Sequence, residues 1–168
     1  MEDICVNERP FSVIRLLGKG KGGYSYLVTD GNREYVIKQI HHEPCEYYQF
    51  GDKLEAELWA YEKLKEIGIQ MPQLYDVDIP NERILKEYID GATIADLVPE
   101  DGVKPDYFRQ IREMCEILYG VGLNIDYYPT NFVVQRDMLY YIDYECNPYM
   151  DAWNFENWGI RYWMKEVK

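Results

Sequence analysis

Alternating apolar and polar residues predict strands at the start of the chain. Residues 11–17 are apolar and end at a glycine cluster, residues 24–29 are rich in Tyr, Ser and Val, and residues 34–40 resemble a third strand. An Asp-Gly-Asn turn signal separates the last two segments. We therefore expect an antiparallel meander here.

A helical period follows over residues 52–67. Its apolar positions recur every three or four residues, at Leu54, Leu58, Tyr61 and Leu64. Asp52 and Glu55 fit a capping box at the start, and Gly68 supplies a stop. The pattern predicts one amphipathic helix after the strands.

The middle of the chain returns to strands and then to a second helix. Residues 74–79 and 83–89 are strand-like, and 91–105 is predicted to be loop with one helical turn. Residues 105–119 form the second amphipathic helix. Its apolar face consists of Phe108, Ile111, Cys115 and Leu118.

A short hairpin and an aromatic tail complete the pattern. We expect strands at 132–135 and 138–142, followed by a partly helical tail over 153–168. Strands and helices are segregated along the chain, which is typical of the α+β class.

Composition and charge exclude several classes of function. The 168 residues suit one domain or two small lobes, and the net charge of −12 argues against binding to nucleic acid or an anionic membrane. No apolar run is long enough to cross a membrane, and the start does not resemble a secretory signal.

The four cysteines lack the spacing typical of metal sites and C-x-x-C pairs, so we expect reduced, partly buried thiols in the cytoplasm. We interpret His41-His42-Glu43 with Cys45 as a polar loop rather than a metal site.

The glycine cluster is the first candidate for chemistry. Gly18, Gly20 and Gly23 match G-x-G-x-x-G, but a strand follows them where a dinucleotide fold needs a helix. Glycines between antiparallel strands suit a flap whose N–H groups approach phosphates, with Lys19 and Lys21 adding positive charge. The alternative is a glycine-rich hairpin without a ligand.

Lys38 and Glu57 are the second candidate. Lys38 lies in an apolar strand, where a lysine needs an anion unless it points to solvent from an edge strand. Glu57 falls on the apolar face of the first helix and is its expected partner. We prefer Glu57 to Glu55, which the helix cap already uses.

Three oxygen-bearing side chains form the third candidate. Asp126 and Asn131 share one loop, and Asp143 ends the next strand. Such residues could converge on Mg²⁺, although each alone is also a common turn residue.

Taken in order, these motifs resemble the protein-kinase-like superfamily. The atypical branches are the most similar: RIO-type kinases, the kinase of the KEOPS complex, and aminoglycoside-phosphotransferase-like enzymes. The matching segments are Gly18-x-Gly20-x-x-Gly23, Val36-Ile37-Lys38, Glu57, the hinge-like segment 85–91, Asp126-x-x-x-x-Asn131 and Ile142-Asp143.

The resemblance implies a kinase-like N-lobe and hinge over 1–89 and a truncated, mostly helical C-lobe over 90–168. It implies ATP and Mg²⁺ as cofactors, with Lys38, Glu57 and Asp126 as catalytic residues and Asn131 and Asp143 as metal ligands. The residues expected at ATP are Gly18, Lys19, Gly20, Lys21, Gly23, Val36, Lys38, Glu87, Ile89, Val133 and Ile142.

Several departures keep the function open. Asn124 stands where typical kinases have His, Tyr128 takes the position of the loop lysine, and Glu145 replaces a glycine, as in small-molecule phosphotransferases. Only 25 residues follow Asp143, too few for an activation loop and substrate helices. We expect a serine/threonine-kinase-like phosphotransferase; the alternatives are a small-molecule kinase and a nucleotide-binding pseudokinase.

The tryptophans of the tail are expected either to pack over the second lobe or to bind a partner. Trp153, Trp158 and Trp163 recur every five residues, so one helical face cannot hold all three. We expect some to cover the second lobe; alternatively they form an interface with a partner protein or a second copy.

Overall fold

The computed structural model describes residues 2–20, 22–42 and 52–165. They form an α+β fold that divides into two compact units. The first unit comprises Met1–Glu57 and Pro72–Tyr88, and the second comprises Leu58–Met71 and Ile89–Lys168.

The first unit contains a six-stranded sheet in which all neighbouring strands are antiparallel, in the order β1-β2-β3-β4-β6-β5. The strands are β1 (Asp3–Val6), β2 (Arg9–Lys19), β3 (Gly23–Thr29), β4 (Glu34–Ile40), β5 (Leu74–Asp78) and β6 (Arg83–Glu87). The predicted meander and the later strand pair are both present. This sheet is compatible with a kinase N-lobe.

The sequence pattern missed β1. Asn7 and Glu8, which link it to β2, both have positive φ, at 48° and 70°. A two-residue hairpin turn needs that backbone conformation and is usually signalled by glycine. An Asn-Glu pair gives no such signal.

One hydrophobic cluster of the first unit consists of the buried residues Val6, Phe11, Val28, Ile37 and Leu85. The neighbouring strand positions Leu27, Val36 and Ile84 are buried as well. The helix α1 (Lys53–Glu66) begins in this unit, and the side chain of Asp52 accepts a hydrogen bond from the N–H of Glu55 at 3.1 Å. The predicted helix start is therefore confirmed.

The second unit combines the end of α1 with the remaining helices and three short strand pairs. The helices are α2 (Ile94–Leu97), α3 (Pro105–Gly120) and α4 (Ile160–Trp163), and the strands are β7 (Ala92–Thr93), β8 (Leu123–Asn124), β9 (Phe132–Gln135), β10 (Met138–Tyr141) and β11 (Asn147–Pro148). The strands form a sheet of order β10-β9-β7 and a β11-β8 pair. The second helix and the hairpin are confirmed. The two-residue strands β7, β8 and β11 are too short for a sequence pattern to indicate.

Trp163 occupies the centre of the second core. Its ring contacts Phe108, Phe132 and Phe155 at centroid distances of 5.9, 5.1 and 5.3 Å, and its indole N–H donates to the carbonyl of Tyr127 at 2.7 Å. Trp163 is thus buried in the core of the second unit, whereas Trp153 is exposed. The tail is partly helical, as predicted.

A wide π-helical turn over Phe155–Gly159 lets the tail approach the core. A Cβ at Gly159 would overlap the Cβ of Tyr127, so a glycine is needed at this contact.

The described cysteines are free thiols. Cys115 is buried and Cys146 half-buried, and burial raises the pKa of each to about 11. Cys5 is exposed, which corrects the expectation of partial burial at that position. Cys45 lies outside the described residues. Among residues 2–20, 22–42 and 52–165, no helix combines the length and apolar character needed to cross a bilayer.

Candidate functional site

The Lys38 ammonium and the Glu57 carboxylate form a buried ion pair in the first unit. Lys38 Nζ lies 2.5 Å from Glu57 Oε1, and both side chains are about nine-tenths buried. Lys38 is in β4, which pairs with β3 on one side and β6 on the other, so it is not an edge-strand lysine. Glu55 is exposed, and its backbone N–H donates to the side chain of Asp52 at the helix start. The predicted pairing is confirmed, and the catalytic role of both residues stays a prediction.

The glycine-rich turn lies against this ion pair. It connects β2 to β3 and is closed by a hydrogen bond from the N–H of Gly20 to the carbonyl of Gly23 at 2.9 Å. A Cβ on Gly22 would lie 3.1 Å from Glu57 Oε1 and 3.5 Å from Lys38 Nζ. The backbone of the turn thus borders the two buried charges. Lys21 lies outside the described residues.

The three motif glycines differ in what the fold requires of them. A Cβ at Gly23 would overlap the backbone carbonyl of Gln39 in β4, so the sheet itself requires glycine there. At Gly18 and Gly20 a Cβ would meet no other atom of the described chain within 4 Å. Packing therefore explains the third glycine and not the first two.

His41 holds the turn in place. Its backbone N–H donates to the carbonyl of Gly22 at 3.1 Å, and its ring Nε2 lies 2.9 Å from the carbonyl oxygen of Gly20. The His41 ring also packs against the ring of Tyr24, with 5.3 Å between the ring centroids. The sequence pattern indicates a polar loop at His41 and gives no sign of this role.

A metal cluster of side chains is absent from the described part of the chain. Within residues 2–20, 22–42 and 52–165, no three His, Cys, Asp or Glu side chains gather in a way that could hold an ion. His42 lies 2.7 Å from a carboxylate oxygen of Glu82. Glu43 and Cys45 lie outside the described residues.

Asn131 and Asp143 come from adjacent ends of one hairpin in the second unit. Phe132 of β9 pairs with Tyr141 of β10, and just beyond this pair the N–H of Ile142 donates to the carbonyl of Asn131 at 2.9 Å. The register therefore brings the backbone of Asn131 next to the segment that carries Asp143.

Asp126 belongs to a loop that is folded back onto the same hairpin. Its carboxylate accepts the N–H of Tyr128 at 3.1 Å, and its carbonyl accepts the side-chain amide of Asn131 at 3.3 Å. The structure thus groups the three oxygen-bearing residues within one unit. As oxygen donors, an Asp and an Asn suit Mg²⁺ that also binds phosphates.

Hydrogen bonds of the buried Tyr127 and Asn124 side chains hold this loop in place. The hydroxyl of Tyr127 donates to Asn124 Oδ1 at 3.2 Å, and the amide of Asn124 donates to the carbonyl of Met150 at 3.0 Å. Desolvation by burial holds the pKa of Tyr127 well above its usual value, so the hydroxyl stays a donor. Asn124, where typical kinases have His, connects the loop to the segment after β11.

The residues expected at adenine are distributed over both units. Val36 in the first and Ile89 and Val133 in the second are buried, and Ile142 is partly buried. The N–H of Glu87 already donates to the carbonyl of Gln73 at 2.9 Å. Contacts of these residues with adenine stay predictions.

The fold and the ordered motifs indicate a kinase-like class of protein, and sequence comparisons agree. The chain is 30% identical over 112 residues to the predicted serine/threonine-protein kinase YrzF of Bacillus subtilis, covering 66% of this chain and 48% of that protein. It is also similar to predicted bifunctional tRNA threonylcarbamoyladenosine biosynthesis proteins. That of Methanococcus vannielii is 30% identical over 89 residues, and that of Methanocaldococcus jannaschii 34% over 82.

These matches are partial. They cover 52% and 48% of this chain for the two archaeal proteins, and only 16% and 15% of those proteins. The chain therefore spans less than half the length of each of these relatives, and no family model matches it. The recognition made from the motifs is confirmed at this level: the chain is related to kinase-like proteins.

Proposed function

We propose that the chain is an ATP-dependent phosphotransferase that transfers the γ-phosphate of Mg-ATP to a hydroxyl acceptor. The buried Lys38–Glu57 pair beside Gly22 carries this proposal. Burying two charges costs desolvation free energy that their attraction often fails to offset, so stability alone is a weak reason for the pair. A binding role is supported by its position beside a glycine-rich turn.

In the first unit, Lys38 would neutralise the α- and β-phosphates while Glu57 holds its ammonium in place. Backbone N–H groups between Gly18 and Gly23 would approach the phosphates, which side chains at Gly18 and Gly20 would obstruct. Lys19 and Lys21 would add positive charge. The residues proposed to border adenine are Val36, Glu87, Ile89, Val133 and Ile142.

In the second unit, Asn131 and Asp143 would hold Mg²⁺, which supplies charge neutralisation to the phosphates. Asp126 would accept the proton of the acceptor hydroxyl. The hydroxyl oxygen forms a bond to the γ-phosphorus, the bond from that phosphorus to the bridging oxygen breaks, and ADP leaves with the electron pair.

We propose a protein serine or threonine as the acceptor, in line with the name of the Bacillus subtilis relative. A small-molecule acceptor is the second candidate, favoured by Glu145 in place of the glycine of protein kinases. The exposed aromatic residues Trp153 and Tyr162 support a further proposal, contact with a partner protein or a second copy. Free thiols are consistent with a cytoplasmic location.

The test is phosphate transfer from γ-labelled ATP by the full chain with Mg²⁺, offered serine/threonine peptides and aminoglycosides in parallel. Lys38→Ala and Asp143→Asn should each lower transfer by about 100-fold or more, equivalent to roughly 3 kcal/mol of lost transition-state stabilisation. Lys65→Ala, which changes an exposed lysine on α1, is the control and should retain activity.

The outcomes separate the alternatives. Nucleotide binding without transfer, autophosphorylation or hydrolysis would identify a pseudokinase. Absence of Mg-ATP binding by the unaltered chain would contradict the proposal.

A further inference from the structure

Tyr141 connects the two loops of the second unit that carry Asp126 and Asp143. It is the last residue of β10 and is fully buried. Its hydroxyl oxygen accepts the backbone N–H of Asp126 at 3.3 Å and donates to the backbone carbonyl of Glu145 at 2.8 Å. One phenolic oxygen thus bonds to both loops.

The ring has little freedom to move this oxygen. It packs against Phe132 at a centroid distance of 5.2 Å, and its own backbone N–H donates to the carbonyl of Gln70 at 2.9 Å. A buried aromatic side chain held on a strand is a rigid support. The hydroxyl therefore acts as a fixed point for the backbone at Asp126 and at Glu145.

The hydroxyl can serve both loops at once. A phenol donates one hydrogen bond and accepts others, so the Tyr141 oxygen makes its bond to Glu145 and its bond from Asp126 together.

We propose that Tyr141 is a positioning residue, whose hydroxyl sets the placement of the Asp126 loop relative to the segment that carries Asp143. This inference rests on the proposed function, because it gives the two loops their roles as proton acceptor and metal ligand. A positioning residue of this kind affects turnover more than nucleotide affinity, because its effect is on the geometry of the reacting groups.

The test compares Tyr141→Phe with Tyr107→Phe. Tyr107 is also a buried tyrosine of the second unit, and its hydroxyl donates to Asp137 at 2.7 Å, away from both loops. In Tyr141→Phe we expect kcat to fall about tenfold while KM for ATP changes less than about twofold. Tyr107→Phe should leave both constants unchanged.

Amide hydrogen exchange gives a second measurement that needs no turnover. The N–H of Asp126 should exchange about tenfold faster in Tyr141→Phe than in the unaltered chain, and at the unaltered rate in Tyr107→Phe. If Tyr141→Phe does not fold, the unaltered chain carries the test. Its Asp126 N–H must then be protected comparably to the N–H of Ile142, which is bonded to Asn131.

The two failures are distinguishable. Unchanged kcat together with unchanged Asp126 exchange in a folded Tyr141→Phe overturns the inference and leaves the proposed function intact. An unprotected Asp126 N–H in the unaltered chain also overturns it. If the unaltered chain neither binds nor turns over Mg-ATP, the proposed function fails, and the catalytic role of Tyr141 fails with it.

Discussion

The two candidate groups of residues are held by different means. In the first unit, Lys38 and Glu57 stand on a central strand and a helix, and two ionised side chains hold each other. In the second unit, Asp126 and Asn131 lie on a loop in which the N–H of Asp126 donates to the buried Tyr141 hydroxyl and the hydroxyl of Tyr127 donates to the buried Asn124 side chain. Charge pairing fixes the first group, and aromatic packing behind a loop fixes the second.

The two groups are therefore sensitive to different substitutions. Removing one charge of the first group breaks the ion pair between Lys38 and Glu57, although the strand and helix persist. The second group depends on buried residues outside the group, above all Trp163, whose indole N–H donates to the carbonyl of Tyr127.

Loss of Trp163, which is bonded to Tyr127 in the loop of Asp126, should have the greatest effect on stability. Trp163→Ala should lower the free energy of unfolding by about 4 kcal/mol, because it leaves a large cavity in the second core and removes the hydrogen bond to Tyr127. Trp153→Ala, on an exposed residue of the same tail, should change it by less than about 0.5 kcal/mol. Denaturant unfolding measures both, and equal effects would contradict the assigned support.

The second largest loss of stability is expected when the Lys38–Glu57 ion pair is broken. Glu57→Ala should cost about 3 kcal/mol of unfolding free energy, because it removes the carboxylate that pairs with the buried Lys38 ammonium. Glu55→Ala, on the exposed side of the same helix, should cost less than about 1 kcal/mol.

A double variant sharpens this test. Lys38→Met combined with Glu57→Leu should recover most of the stability lost in Glu57→Ala, since both members of the buried ion pair are replaced by apolar side chains. A double variant as unstable as the single one would show that packing rather than charge dominates the pair.

The glycine-rich turn gives a smaller and more selective effect. Gly23→Ala should destabilise the chain by about 1–3 kcal/mol, because its Cβ would overlap the carbonyl of Gln39. Gly20→Ala should leave the melting temperature nearly unchanged and still weaken Mg-ATP binding. Thermal unfolding and nucleotide titration on the same two proteins measure this. Normal nucleotide affinity in Gly20→Ala would exclude a phosphate contact at that residue.

The smallest effect depends on pH. The N–H of Asn7 and the side chain of Asn81 donate to Asp78, which lowers the pKa of that carboxyl group. A lowered pKa in the folded state stabilises the chain above the unfolded value of about 4, and this contribution disappears as the pH falls through the folded value. Asp78→Asn should therefore be less stable than the unaltered chain near neutrality, and the difference should shrink at acidic pH. A pH-independent difference in melting temperature would contradict this linkage.

Sequence could predict the first group of residues better than the second. Glu57 lies on a helix of regular period, so its position on the apolar face follows from residue spacing, and Lys38 lies in a strand with clear apolar flanks. Asp126, Asn131 and Asp143 were found by their ordered motif. Their proximity depends on hairpin register, which the chain sets through contacts between distant residues.

The supporting residues were missed for a physical reason. Tyr141 is one of 17 tyrosines, and a hydroxyl that bonds two loops has no signature in local spacing. The pattern around His41 predicts a polar loop, whereas its hydrogen bonds are to the backbone of a turn that precedes it by some 20 residues. Such roles depend on tertiary contacts that periodicity does not encode.

The distribution of tryptophan has a practical consequence. All four, Trp59, Trp153, Trp158 and Trp163, belong to the second unit, and the first unit contains none. Intrinsic fluorescence excited at the red edge of the indole band will therefore report on one half of the molecule alone. Iodide should quench the emission of Trp59 and Trp153 and spare that of Trp163, so the unlabelled chain carries a built-in optical probe of its own aromatic core.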